Sequence, residues 1–327
     1  MLALVLGKQA LGADLRRAFG MSDTSFRLAE TVRYNILKGP NGLRAGWRLL
    51  IFVAMLVPLY YGTVAIIDSA ERRLHVEMFS PTDILIVMVV FLAALFLATG
   101  IMATIEGRSI ADYGLPWRRA LCGQFWQGAA ISFTSLTALL FGLRLAGAFS
   151  FGSLALHGVD IWRNGILWTV AFILVAVMED FLYRGYFLFT LTTGIGFWPA
   201  AVVSSLVMAG THFLKPGGFG LGPFVTFLYC LVTCLVIRRT GDLWMALGIH
   251  AAWDWGATFF YGVPSGGEMV HGHLLNGTLH GPAWLTGGIY GPEAGWPNVA
   301  LQVIWGILFS TWLRGVKYPK PEDEVRA

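Results

Sequence analysis

Charge is scarce in this sequence. Of its 327 residues, only 13% are Asp, Glu, Lys or Arg, roughly half the share of an ordinary soluble domain. A globule of this length could not cover its surface with so little charge, which excludes the two soluble domains that length alone would suggest. Disorder is excluded as well, because it needs low hydrophobicity and high net charge, and here 56% of residues are apolar and the mean hydropathy is +0.64. Three cysteines are too few for a disulfide-stapled secreted scaffold. The 40 glycines follow no three-residue period, so collagen is out. No internal repeat is found, and Met1–Leu6 is too short and too uncharged for a secretory signal peptide. The net charge of +4 selects no partner, and no nucleic-acid partner is expected.

What the chain does have is long apolar runs, each able to span about 30 Å of hydrocarbon with roughly 20 residues. Eight are read, near Trp47–Ile67, Asp83–Ile105, Leu121–Gly147, Asn164–Leu188, Phe197–Phe213, Leu221–Ile237, Leu243–Tyr261 and Pro297–Leu313. The expected fold is an all-α polytopic membrane protein of about eight transmembrane helices. With both termini on one side, most of the 23 Lys and Arg fall on that same side, among them Arg44, Arg48, Arg108, Arg118, Arg119, Arg238, Arg239 and Arg314. Arg72, Arg73, Arg163 and Lys215 fall on the other. The positive-inside rule then places the termini in the cytoplasm. The chain divides into a basic N-terminal segment (1–46), a transmembrane domain (47–313) and a charged tail (314–327). Phe26–Lys38 reads as a helix on the surface of an anionic bilayer or as a solvated basic arm. The stretch 262–296 is a long outer loop, rich in Gly and Pro and without Lys or Arg.

A charge near the centre of a membrane helix costs about 2.5–3.5 kcal/mol on the insertion scale, so charges found there are functional candidates. The fourth run holds Glu179, Asp180 and Arg184, the fifth His212, and the seventh His250 and Asp254. Asp180 and Arg184 are four apart on one helix face and can pair. Glu179 points away from that pair and has no cation at helical spacing, which suits a general base. His250 and Asp254 are again four apart, so Asp254 can orient the imidazole or share a ligand with it. Glu179, His212 and His250 are expected to meet in the inner half to middle of the bilayer. Both histidines neutral, the group carries a charge of −2, which calls for protons or a divalent cation. Two His and a carboxylate form a known zinc set. His271, His273 and His280 in the outer loop read as part of a polar Gly-rich loop rather than a metal cluster. Cys230 and Cys234 read as packing residues.

Glu179-Asp180-Phe181-Leu182-Tyr183-Arg184, then Met208-Ala209-Gly210-Thr211-His212, then His250-Ala251-Ala252-Trp253-Asp254 resemble, in order, the three motifs of an intramembrane protease family. That family includes the type II CAAX prenyl endopeptidases and the bacteriocin-processing (CPBP, or Abi) proteins. The resemblance covers about Ile166–Tyr261, a protease-like core within 164–261. It implies an intramembrane endopeptidase acting on a membrane-associated peptide or protein, with Glu179 as base, His212 positioning water, and His250 with Asp254 stabilising the oxyanion. Arg184 would hold Asp180. If the chemistry uses Zn2+, the ligands would come from Glu179, His212, His250 and Asp254; a metal-free Glu/His mechanism is equally open in the family. Asp180 stands where the family has a second Glu, Met208 where it has Phe, and Asp254 where many members have Asn. An ionised Asp cannot donate a hydrogen bond as Asn does, which tilts the reading mildly towards a metal. A proton- or cation-coupled transporter and a non-catalytic scaffold or immunity factor are the competing readings. A bacterial inner membrane is the expected location.

Overall fold

The computed structural model describes residues 36–39 and 42–319. Most of the N-terminal segment and the last eight residues of the tail lie outside this range, and with them residues 26–35 of the surface helix read over Phe26–Lys38. Eight long helices run through the described residues: α1 Ala45–Leu74, α2 Pro81–Glu106, α3 Gly123–Leu145, α4 Val159–Ile195, α5 Phe197–His212, α6 Gly222–Thr240, α7 from Trp244 to Phe260, and α8 Trp296–Trp312. Each coincides with one of the apolar runs. Five of them, α1, α2, α3, α4 and α6, are long and apolar enough to cross a membrane; α5, α7 and α8 are shorter. The protein is an integral membrane protein of helices, with no closed sheet among the described residues.

Helix ends follow local chemistry. Pro81 opens α2, and Ser80 caps it by accepting from the Asp83 N–H at 3.2 Å. Gly107 and Gly241 close α2 and α6 in the left-handed conformation. Helix α1 runs on to Leu74, past the expected Ile67, because Glu71, Arg72 and Arg73 extend the helical ladder beyond the apolar run. Helix α2 is apolar on every side: Ala98 and Met102 are buried, while Val89, Leu97, Ile101 and Ile105 are exposed. An apolar outer surface of this kind suits lipid rather than water.

The helix connections gather at two ends. At one end, His271 N–H donates to Phe79 O at 3.1 Å, Ala155 N–H to Leu274 O at 2.8 Å and His280 N–H to Ala148 O at 2.8 Å. There Phe149–Ser150 pairs antiparallel with Thr278–Leu279. At the other end, Leu243 N–H donates to Gly114 O at 2.8 Å and Lys317 N–H to Arg238 O at 2.9 Å, and Arg119 pairs with Asp242 at 3.0 Å. This second end carries Arg108, Arg118, Arg238, Arg239 and Arg314.

Helices α3 and α7 cross closely, and glycine permits it. A Cβ on Gly248 would lie 2.0 Å from Phe125 O, and one on Gly128 would lie 2.2 Å from Met245 O. Small residues at crossings of this kind let membrane helix backbones approach. Gly248→Ala is therefore expected to destabilise the protein by about 1–3 kcal/mol through overpacking. Thermal unfolding of the solubilised protein checks this, with Gly46→Ala, which meets nothing within 4 Å, expected to unfold like the parent.

Candidate active site

Helix α4 changes pitch at the first motif. It is α-helical to Asp180 and then widens into a π-helix over Phe181–Phe187. A widened turn frees backbone carbonyls, and here Ser204 on α5 donates to the Tyr183 carbonyl at 2.6 Å. Such turns recur at functional sites. Gly185 fits inside it, since a Cβ there would sit 2.7 Å from the Phe181 ring.

Behind the widened turn lies a buried polar lock. The Asp180 and Arg184 side chains are 0% and 1% exposed, and Arg184 Nη2 donates to Asp180 Oδ1. Arg184 Nη1 donates to Thr233 Oγ1 at 2.8 Å and lies 3.4 Å from Cys230 Sγ, and its guanidinium covers the Tyr229 ring at 5.1 Å. A charge this deep is tolerated only when paired and hydrogen-bonded. Cys230 and Cys234 are buried free thiols, in keeping with their reading as packing residues.

The same Asp180 oxygen lies 2.9 Å from His250 Nδ1, and this contact was not legible from helical spacing. It fixes the imidazole so that Nε2 faces Asp254 Oδ2 at 3.4 Å and Glu179 Oε2 at 3.8 Å. Asp254, read from sequence as orienting the imidazole or sharing a ligand with it, stands at one ring nitrogen, and Asp180 holds the other. His212, at the end of α5, bonds the Met208 carbonyl through Nδ1 at 3.0 Å, which leaves Nε2 for another partner.

Glu179, His212, His250 and Asp254 all line one cavity of about 360 Å³. Its apolar wall comes from Val87 and Met88 on α2 and Phe172 and Val175 on α4. Val225 and Tyr229 on α6 and Gln302 and Trp305 on α8 line it as well, and part of its wall comes from loops that sequence reasoning left aside. Lys215, Ser265, Glu268 and Glu293 line it too, and all four lie in the connections 213–221 and 261–295. The site therefore sits towards the end of the bundle that these loops close. One signal was available: Glu268 and Glu293 are the only charged residues in the long loop. Burial pulls the Lys215 ammonium down, but Glu179 and Glu268 outweigh it and hold it above the usual lysine range. Lys215 thus brings a cation to the cavity that Glu179 lines. Burial, and then the Asp254 charge, push the Glu293 carboxyl above the usual carboxylate range, against hydrogen bonds from Ser265 and Gly266.

A catalytic zinc needs three protein donors converging within about 2.0–2.3 Å of one point, with water in the fourth position. Among the described residues, no group of three or more His, Cys, Asp or Glu could hold a metal ion. Glu179, His212, His250 and Asp254 share a cavity but do not form such a cage. The loop histidines are dispersed: His271 meets Glu77, His273 meets Asn276, and His280 meets Thr278.

Fold and site together define an integral membrane protein with carboxylates, imidazoles and an ammonium gathered in a cavity inside its helix bundle. Residues 161–256 match the family model of the Rce1-like type II CAAX prenyl endopeptidases. That segment, under a third of the chain, contains all three motifs and confirms the resemblance read from them. The match is to a family of proteases. No curated protein and no solved structure matches the chain.

Proposed function

We propose that the protein is an intramembrane endopeptidase that hydrolyses a peptide bond in a membrane-associated protein or peptide. The observation that carries this reading is the meeting of Glu179, His212, His250 and Asp254 in one cavity, within the segment that matches a protease family. Glu179 takes a proton from a water positioned with His212, and the water oxygen bonds to the scissile carbonyl carbon. The carbonyl π electrons move to oxygen, and His250 Nε2 donates a hydrogen bond to the oxyanion. The tetrahedral intermediate then collapses, the C–N bond breaks, and the proton held by Glu179 passes to the leaving amine. Asp180, locked by Arg184, holds His250 in place, and Asp254 limits where Nε2 can point. The apolar α2–α4 wall suits a substrate that arrives from the lipid.

In the same reading all eight helices traverse the bilayer, both termini are cytoplasmic, and the membrane is a bacterial inner membrane. Neither a transporter nor a non-catalytic scaffold gains support from a match to proteases. The test is cleavage of quenched fluorescent peptides ending in a CAAX sequence, farnesylated or plain, by the protein in vesicles. The parent cleaves and Glu179→Gln does not; equal rates would end the assignment of Glu179. No step passes through a metal, since the residues form no ligand cage. Activity is thus expected to survive exhaustive chelation, and a loss that added zinc restores would return Zn2+ to the mechanism.

A further inference from the structure

The loop after α7 lies outside the three motifs, yet it reaches the site. Glu293, on the turn Pro292–Ala294, receives three hydrogen bonds. The Trp253 indole N–H donates to Oε1 at 2.8 Å, the Gly266 N–H donates to Oε2 at 2.9 Å, and the Ser265 hydroxyl contacts Oε1. Ser265 Oγ also lies 2.9 Å from Asp254 Oδ1, so its single hydrogen is shared between the two carboxylates. Trp253 and Asp254 are consecutive on α7, so Glu293 anchors the loop to the helix and sets Ser265 against Asp254 in one arrangement. The two arms of the loop touch here: a Cβ on Gly291, whose φ is +99°, would lie 2.0 Å from Pro264 O, and only glycine allows that approach. Asn298 on α8 donates to the Glu293 carbonyl at 3.0 Å and fixes the turn from the other side.

We propose that Ser265 and Glu293 are positioning residues of the catalytic site. Ser265, held by Glu293, ties Asp254 Oδ1 to the loop, so that only Oδ2 faces His250 Nε2, at 3.4 Å. The inference rests on the function proposed above. Without the Ser265 hydroxyl, Asp254 is free to shift and shorten its 3.4 Å approach to His250 Nε2, competing more strongly for the hydrogen that the oxyanion requires. A partner that acts through a site residue in this way costs activity rather than fold.

The experiment uses the full chain in lipid nanodiscs with 15N-labelled histidine, the His250 ring signals being assigned by their absence in His250→Asn. Ser265→Ala is expected to move the His250 Nε2 signal and leave His271 and His273 in place, and Ser265→Thr, which keeps the hydroxyl, is expected to restore it. Glu293→Gln is expected to move the same signal. With the farnesylated CAAX peptide, Ser265→Ala is expected to lower kcat about tenfold, less than the roughly 10²–10³-fold cost of removing an oxyanion donor outright, with KM unchanged. His250 signals unmoved by both Ser265→Ala and Glu293→Gln would overturn the proposal, and so would a kcat equal to the parent's in Ser265→Ala. Cleavage by Glu179→Gln at the parent rate would overturn the proposed function instead, while the His250 signals still decide the placement of Asp254.

Discussion

Replacing Glu179 by Gln is expected to lower peptide cleavage by about 10²–10⁴-fold, the usual contribution of a general base, with the fold intact. The two halves of this expectation come from different contacts. The Glu179 side chain is 22% exposed, lines the cavity, and lies 3.8 Å from His250 Nε2. It takes no part in the Asp180–Arg184 lock behind the widened turn. An amide of the same shape therefore leaves packing alone and removes the group that accepts the proton of water. Initial cleavage rates at equal protein, read beside thermal unfolding, check both halves. A variant that unfolds early would mean that Glu179 is structural.

Arg184→Met carries the largest expected effect on stability. It leaves Asp180, fully buried, without its cation, and breaking a buried pair from one side costs about 3–5 kcal/mol. Removing both partners together is far milder, because no bare charge remains. Asp180→Leu with Arg184→Met is thus expected to recover most of the lost stability. Activity is not expected to recover, because His250 then loses the carboxylate that fixes its Nδ1. Unfolding midpoints of the single and double variants, set against their cleavage rates, measure this separation. A single variant within about 1 kcal/mol of the parent would show that the pair is not a true buried lock.

The helices were legible because lipid imposes a simple rule, and every apolar run became a helix. The six candidate residues were legible for a related reason: charges in such runs are conspicuous, and the spacing of Asp180 with Arg184 and of His250 with Asp254 is local to one helix. What spacing could not give was contact between helices. Asp180 reaches His250 across 70 positions, and that meeting depends on how α4 and α7 pack, partly through the close crossing at Gly128 and Gly248. The widened turn after Asp180 left no pattern in the sequence, because its extra carbonyl is satisfied by Ser204 from another helix. Lys215, Ser265 and Glu293 were missed because the loops were read by composition, as polar connections, whereas hydrogen bonds to α7 make the long loop a wall of the cavity.

The central claim is that the cavity around Glu179 hydrolyses peptide bonds in membrane-associated substrates. Its most direct test is to map peptide ends by mass spectrometry in membranes of cells carrying the parent chain or Glu179→Gln at equal abundance. The account predicts new peptide termini that appear with the parent and vanish with Glu179→Gln. Identical sets of termini in the two membranes would contradict it.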